Sequence, residues 1–381
     1  MIAIINAKIV LERGILSDGV LLVDKDRILS VGKMADVVIP EHATVYDAKG
    51  LYVGPGFVDI HVHGGGGHMF YQEPEEAAAH FLKHGETTIL ATLYYNISKE
   101  EFLDSIEKVK HAMNDGDAAK AIAGFYMEGP YMNPKYGASP EKNKWRGEIR
   151  KEDYQPIVEA AGSLAKVWAI APEREGVENF VRDAKNVYDD TMFSVGHSEA
   201  TPEEIRKLKK YGLNLQTHCM NATGRKNRGA GVRSCGPDEA CLMDRDMYAE
   251  IICDSKGIHV EPDMLRMILQ IKGVDKVVLI SDSFVSNEPT PEQFKDVTDL
   301  QFDANGGLCG SKLTLDTACR NLLMHTDCGI TQAFLMASRN PARVIGLDHE
   351  VGTIETDKKA NLVFVDDMFE VKKVMLEGIF R

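Results

Sequence analysis

Three features are scarce or missing in this sequence of 381 residues: paired cysteine motifs, blocks of basic residues and long apolar runs. All seven cysteines lie in the second half without a C-x-x-C pair, which argues against a zinc-finger type of site and suits reduced thiols. No stretch reaches the roughly 18 uninterrupted apolar residues of a membrane span, and the N-terminus lacks a basic segment followed by an apolar core. We therefore expect a cytoplasmic protein.

The charge of the chain is negative, with a formal net charge of -14 and no cluster of lysine or arginine. A general attraction to nucleic acid or to anionic lipid is therefore not expected. An anionic substrate would need a local positive pocket. The length, with 44% hydrophobic and 27% charged residues, predicts a globular protein with one large and one small domain.

Short apolar runs alternate with polar, helix-like segments between residues 50 and 285, which is typical of strand–helix units around a parallel sheet. Such units over roughly 250 residues predict an α/β fold of the (β/α)8 TIM-like barrel type. A doubly wound open sheet would alternate in the same way. The eight candidate strands are residues 56–62, 87–93, 121–127, 166–171, 191–196, 213–217, 249–253 and 276–281.

Both ends of the chain show a different pattern. Residues 2–32 and 360–380 alternate apolar and polar residues between turn residues, as short antiparallel strands do. We expect the two ends to meet in a small β-sandwich domain. The predicted boundaries are 1–50 plus 350–381 for this small domain and 51–349 for the barrel.

Residues suited to metal ligation or proton transfer follow most of the predicted strands. Because the carboxyl ends of parallel barrel strands meet at one face, these side chains should converge. A lone histidine at a strand end is more often a hydrogen-bonded structural residue, so the prediction rests on the placement of the whole set. The set consists of Asp59, His61, His63, Glu128, His197, His218, His259 and Asp282.

The chemistry of this set indicates a divalent metal ion. The two-residue period of a strand aims the imidazoles of His61 and His63 to one side. Neutral imidazole and carboxylate suit zinc or iron, and an open coordination position lowers the pKa of bound water. A nearby carboxylate that does not saturate the metal can move the proton of that water, and Asp282 suits this role.

The motifs around these residues resemble the amidohydrolase superfamily, and within it the N-acetylglucosamine-6-phosphate deacetylase family. The match covers nearly the whole chain, and the glutamate of E-G-P, Glu128, is specific to this branch. The resemblance implies hydrolysis of the acetamide of an N-acetylhexosamine 6-phosphate to the amino sugar phosphate and acetate. The matching motifs are GPGFVDIHVHG, MEGPYMNP, GHSEAT, THCMNAT, GIHV, ISDS and GTIETDKKANLVFVD.

The resemblance also implies the metal ligands. Glu128, His197 and His218 would hold the principal ion. His61 and His63 match a pair that binds a second ion in some members, with Glu128 bridging, so the site would hold one or two ions.

Further roles carry over to the residues around the metal. Asp282 corresponds to the catalytic acid and base, and His259 to a histidine that contacts the substrate. Asn221 and Ala222 correspond to the segment whose backbone amides meet the sugar phosphate.

Two departures from the family pattern concern the substrate. The family often has a histidine at the position of Ser139. Its phosphate-binding arginine lies in a loop that is longer here, residues 224–239, and the spacing does not choose among Arg225, Arg228 and Arg233. In the family this arginine can reach the site of the neighbouring subunit, which implies a homodimer.

Two alternatives stay open at this point. The same fold and metal could hydrolyse another N-acyl amino sugar, an N-acyl amino acid or a cyclic amide, and Ser139 and the long loop keep this alternative open. A non-catalytic barrel used as a binding module is the other alternative. The ligands retained after four strands and the carboxylate after the eighth argue against it. The native metal and the hexosamine epimer are not predicted by the sequence.

Overall fold

The computed structural model describes residues 1–381. The strands are β1 (Ile2–Leu11), β2 (Gly14–Asp24), β3 (Arg27–Lys33), β4 (Thr44–Asp47), β5 (Tyr52–Pro55), β6 (Phe57–Val62), β7 (Gly64–Gly65), β8 (His68–Met69), β9 (Glu86–Tyr94), β10 (Ile122–Glu128), β11 (Ala165–Ile170), β12 (Met192–Val195), β13 (Leu213–Gln216), β14 (Tyr248–Ile252), β15 (Val277–Ile280), β16 (Leu300–Phe302), β17 (Leu308–Ser311), β18 (Leu362–Val365), β19 (Val371–Leu376) and β20 (Ile379–Phe380). The α-helices are α1 (Pro74–Lys83), α2 (Lys99–Asp115), α3 (Lys151–Ala161), α4 (Val177–Val187), α5 (Pro202–Leu208), α6 (Pro237–Met243), α7 (Pro262–Lys272), α8 (Leu315–His325), α9 (Ile330–Phe334) and α10 (Asn340–Val344).

The central sheet is a parallel barrel. Its eight strands, β6 and β9 to β15, neighbour one another in chain order, and each is followed by a helix, α1 to α8 in turn. The backbone N–H of Asp282 donates to the carbonyl of His61 at 2.9 Å, which joins the end of the last strand to the first. All eight predicted strands are present, and the (β/α)8 barrel is confirmed over the open doubly wound sheet. Every helix is too short or too polar to span a membrane.

The barrel strands are apolar because both of their faces are covered, the inner one by side chains and the outer one by helices. All six residues of β6 are buried, for example. Two of the helices, α2 and α5, begin at side-chain capping boxes. Ser98 accepts a hydrogen bond from the N–H of Glu101 at 3.2 Å, and the Glu101 carboxylate accepts one from the N–H of Ser98 at 2.6 Å. These caps fix where α2 and α5 begin.

The two ends of the chain form a second sheet, with strands β1 to β5 and β18 to β20. Residues 20–23 in β2 are all buried, with alternate residues in two different apolar clusters, so both faces are covered. This confirms the small β domain. The predicted division at 1–50, 51–349 and 350–381 stays a prediction, and β5 lies in the small sheet.

The pairing in this small sheet differs partly from the antiparallel pattern that the sequence predicts. β18 pairs antiparallel with β5, but β1 pairs parallel with both β4 and β5. The chain leaves β3 through residues 34–43 and returns in the direction of β1. Alternation of apolar and polar residues reports which face is buried but not the direction of the neighbouring strand.

Gly54 lies where the small sheet meets the barrel. Its missing side chain makes room for Phe334 at the end of α9, because a Cβ at this position would overlap atoms Cε1 and Cζ of that ring. The ring of Phe334 lies 5.5 Å from that of Phe57 and 5.3 Å from that of Phe369. The small domain and the barrel therefore contact each other where the ring of Phe334 packs directly on the backbone of Gly54.

We predict that Gly54→Ala lowers the free energy of unfolding by about 1–3 kcal/mol, because Phe334 must leave its rotamer or the backbone must shift. Thermal and denaturant unfolding measure this change. Gly147→Ala is the matched control, since a Cβ there meets no atom within 4 Å. Equal stability of the two variants would contradict the packing argument.

Candidate active site and metal centre

Buried histidines and carboxylates converge at the carboxyl ends of the barrel strands. His61 lies in β6, His63 follows it, and Glu128 is the last residue of β10. His197 and His218 come two residues after the ends of β12 and β13. All five side chains are buried, so the barrel brings the predicted metal ligands together.

Glu128 occupies the centre of this cluster and contacts four imidazoles. Its Oε1 lies 2.9 Å from Nε2 of His197 and 3.4 Å from Nε2 of His218. Its Oε2 lies 3.1 Å from Nε2 of His63 and 3.5 Å from Nε2 of His61. The carboxylate therefore bridges two histidine pairs, one at each oxygen.

The opposite ring nitrogens show which hydrogens the histidines carry. Nδ1 of His197 faces the carbonyl of Ala222 at 3.3 Å, and Nδ1 of His218 faces the carbonyl of Asn221 at 3.1 Å. A carbonyl only accepts hydrogen bonds, so each Nδ1 carries a hydrogen and a neutral ring turns the lone pair of Nε2 toward Glu128. An unprotonated nitrogen facing a carboxylate is unfavourable unless a cation joins them.

The residues therefore fit a divalent metal ion. Two groups have ligand atoms within 4.8 Å of one another, namely His61, His63 and Glu128, and Glu128, His197 and His218. The buried Nε2 of His61 has no hydrogen-bond partner. Imidazole nitrogens with one carboxylate form a donor set that zinc and iron accept.

The backbone at the cluster is strained. His197, His218 and Asp282 have φ values of 25°, 26° and 47°, in the left-handed region that side chains with a Cβ rarely adopt. Each such residue costs on the order of 1–3 kcal/mol and persists only where the surrounding structure imposes it. All three lie just beyond the ends of barrel strands, where the strained backbone turns their side chains into the cluster.

Mutual attraction shifts the pKa values in the cluster. Burial favours the neutral rings, but Glu128 and the neighbouring carboxylates raise the pKa values of His61, His63 and His218 above 6.5. Burial lowers the pKa of His197. The histidines in turn hold the pKa of Glu128 well below 4.5 despite its burial. A bound cation would take the place of the protons on these rings.

Asp282 lies beside the histidine pair of β6. Its Oδ1 is 3.3 Å from Nε2 of His63 and 3.7 Å from Nε2 of His61. The carboxyl group is nearly buried, yet the histidines lower its pKa below 3.8 against the effect of burial. It is therefore an ionised acceptor at neutral pH and lies within reach of both the cluster and the adjoining cavity.

A cavity of about 400 Å³ opens onto the cluster. His61 is fully buried beneath it and does not line it. The predicted site residues that line the cavity are His63, Glu128, Ser139, His197, His218, Asn221, Ala222, His259 and Asp282.

The part of the cavity wall that contains His259 and Asn221 is held by hydrogen bonds. Nδ1 of His259 faces Oδ2 of Asp254 at 3.1 Å, and Asn221 donates from its side chain to the carbonyl of His259 at 3.2 Å. The backbone N–H of Asn221 donates to the carbonyl of His218 at 3.0 Å, whereas that of Ala222 has no acceptor in the chain. Ala222 therefore offers the free amide of this pair.

Ser139 and the three arginines occupy different places. Ser139 lines the cavity and donates from Oγ to Oδ2 of Asp303 at 3.3 Å. Arg225 pairs with Glu239, and Arg225, Arg228 and Arg233 are exposed and do not line the cavity. The structure thus brings Ser139 to the site but not the arginines of the same chain.

Several site residues were missed by the sequence analysis. Tyr94, Asn96 and Lys142 line the cavity, and Glu250 lies against the histidines beneath it. The sequence contains one indication of Glu250, because it is a charged residue inside the apolar strand β14. Tyr94 and Asn96 end or follow a predicted strand. Nothing in the sequence around Lys142 indicates where its loop folds.

Comparison with known proteins agrees with this geometry. The amidohydrolase family model matches residues 52–380. The chain is 28% identical over 357 residues to the N-acetylgalactosamine-6-phosphate deacetylase of Escherichia coli O157:H7, covering 89% of this chain and 90% of that protein. It is also 28% identical over 376 residues to the N-acetylglucosamine-6-phosphate deacetylase of Vibrio furnissii, covering 95% and 90%.

A solved structure shares the whole fold. The N-acetylglucosamine-6-phosphate deacetylase from Pasteurella multocida superposes with a TM-score of 0.87 at 25% identity, covering 100% of this chain and 99% of that one. The family match spans most of the chain and includes every residue of the histidine and carboxylate cluster. The chain therefore belongs to the amidohydrolase family of hydrolytic enzymes.

Proposed function

We propose that this enzyme hydrolyses the acetamide of an N-acetylhexosamine 6-phosphate, N-acetylglucosamine 6-phosphate in the first place, to the amino sugar 6-phosphate and acetate. The observation that carries the proposal is the Glu128 carboxylate shared by two histidine pairs, with Asp282 beside it at a cavity. The names of the relatives supply the substrate class. N-acetylgalactosamine 6-phosphate is the second candidate, because the E. coli relative carries that name.

Glu128, His197 and His218 would hold the principal divalent ion, and His61 and His63 would hold a second ion that shares Glu128. Zinc and iron suit these donors. Such a site polarises an amide carbonyl and lowers the pKa of a nearby water.

The other residues would perform the proton transfers and position the sugar. Oδ1 of Asp282 accepts a proton from the attacking water and returns it to the amide nitrogen as the C–N bond breaks. His259 and Asn221 position the sugar from the wall of the cavity, and the free amide of Ala222 meets the phosphate. The hydroxyl group of water ends on the acetyl carbon and its proton on the amine, and acetate and the amino sugar phosphate then leave.

The phosphate needs a cation, because the cavity also carries the carboxylates of Glu288 and Asp303. Lys142 is the only lysine or arginine that lines it, and we assign it to the phosphate. Arg225, Arg228 and Arg233 remain proposed phosphate ligands in a homodimer, where one of them would reach the partner's cavity. The seven unpaired thiols suit a cytoplasmic enzyme.

We predict that Asp282→Asn lowers turnover roughly 100- to 10,000-fold, because the amide cannot accept the proton of water. Acetate release measures turnover, and elemental analysis should show that the variant keeps its metal. Near-normal turnover would refute the assignment.

We predict that Lys142→Ala lowers kcat/KM for the 6-phosphate substrate roughly 10- to 100-fold, the effect of losing one charged hydrogen bond. Hydrolysis of the unphosphorylated sugar should change little. Lys144→Ala is the control, since Lys144 lies in the same loop but pairs with Glu101 at 2.8 Å outside the cavity. An equal loss for both sugars would place Lys142 outside the phosphate site.

Metal affinity should fall as the pH is lowered from about 8 to about 6. The neighbouring carboxylates raise the pKa values of His61, His63 and His218 above 6.5, so these rings bind protons at higher pH than a free imidazole does and a metal must displace those protons. Calorimetric titration of the metal-free protein with zinc, in buffers of different ionisation enthalpy, measures the protons released. Zinc binding with the same affinity at both pH values and no proton release would contradict this prediction.

A further inference from the structure

Beneath the cavity, we propose that Glu250 is a positioning residue. It holds His61 in the tautomer and orientation that let His61, His63 and Glu128 bind an ion. This inference rests on the proposed metal site. It goes beyond that site because it makes binding of the second ion depend on Glu250, which is not itself a ligand.

Oε2 of Glu250 accepts hydrogen bonds from two different barrel strands and the segment beyond a third. It lies 3.1 Å from Nδ1 of His61, 3.4 Å from the hydroxyl of Tyr126 and 3.2 Å from the backbone N–H of His218. Glu250 is completely buried. A single oxygen therefore ties the ring of His61 to the backbone of His218.

The ring of His61 has little freedom to turn. It stacks on Tyr126 with the ring centres 4.2 Å apart and the planes 22° from parallel. The hydroxyl of Tyr126 lies 2.8 Å from Oγ1 of Thr217, which in turn lies 2.7 Å from Oγ of Ser194. This chain of hydroxyl groups holds the tyrosine, and the tyrosine holds the plane of the imidazole.

The position of Glu250 decides which nitrogen of His61 is available. A carboxylate accepts the hydrogen of Nδ1, which leaves the lone pair on Nε2. Nε2 points to Oε2 of Glu128 at 3.5 Å and Oδ1 of Asp282 at 3.7 Å and has no hydrogen-bond partner. Without Glu250 the hydrogen can move to Nε2 and bond to Glu128, which would block the position of the ion.

Glu250 is special among the groups that orient these rings. His197 and His218 are oriented by backbone carbonyls, which no substitution removes, and Nδ1 of His63 has no partner. Only His61 depends on a side chain, and that side chain also brings a negative charge to the ion. The occupancy of the second position therefore depends on one replaceable residue.

The experiment titrates metal-free protein with zinc and measures the number and affinity of bound ions. Wild-type protein should bind two ions. Glu250→Leu, close in size but without an acceptor, should bind the second ion about 100-fold more weakly, and Glu250→Gln, which keeps an acceptor but loses the charge, about 10-fold more weakly. For Glu250→Gln, whose amide oxygen can still accept the N–H of His218, the first affinity should not change. Thermal unfolding of the metal-free variants checks that they fold. If Glu250→Leu does not fold, the zinc affinity of Glu250→Gln tests the inference.

Two controls show whether Glu250 acts through His61. In a His61→Ala background, Glu250→Gln should cause no further loss of zinc affinity. Asp254→Asn, in a buried carboxylate–histidine pair with the same 3.1 Å separation outside the two ligand groups, should leave both zinc affinities unchanged.

Several results would overturn the inference. One is a wild-type protein that binds a single ion, and another is Glu250 variants that bind two ions with normal affinity. A third is a loss of zinc affinity on Glu250→Gln in the His61→Ala background as large as in the wild-type background. A fourth is a loss of zinc affinity in Asp254→Asn as large as in the Glu250 variants. Acetate release is measured separately. Zinc binding as expected without deacetylase activity would reject the proposed function and keep the role of Glu250.

Discussion

The site depends on one buried carboxylate that serves two histidine pairs. Glu128 is 2% exposed, and a charge that far from water is costly unless cations or hydrogen bonds compensate it. The four imidazoles around it come from three parts of the barrel that are distant in sequence. The barrel must close with its strand ends in register for this to happen, so its geometry and the stability of the carboxylate are coupled.

Different groups orient the rings of the two histidine pairs around Glu128. Backbone carbonyls orient His197 and His218, whereas a side-chain carboxylate orients His61. The carbonyls that orient both rings belong to Asn221 and Ala222, which lie shortly after the strained residue His218 in the chain. At the proposed principal metal position the rings are thus oriented by main-chain carbonyls, whereas at the proposed second position the ring of His61 is oriented by a side chain that substitution can alter.

The sequence predicted the parts of the fold that depend on local patterns and on order along the chain. Eight apolar runs gave eight strands, and residues at their ends converged because parallel strands share one carboxyl edge. The parallel pairing of β1 was not predictable, because alternation carries no information on direction. Lys142 and the three arginines lie in long loops, where no period exists and the fold of the loop decides which cation reaches the cavity. The sequence pattern indicates Glu250 only as part of an apolar strand.

The hydrogen bond from the N–H of Asp282 to the carbonyl of His61 has a further consequence. This bond closes the seam of the barrel together with bonds from the N–H groups of His63 and Gly64 to the carbonyl of Ser283. Its own two residues are also the proton carrier and a metal ligand of the proposed mechanism. A fluctuation that opens the seam would separate these groups while the other seven strand pairs stay intact. Substitutions on the helix-facing side of β6 or β15 that loosen the seam would therefore reduce the proposed catalysis before they reduce global stability.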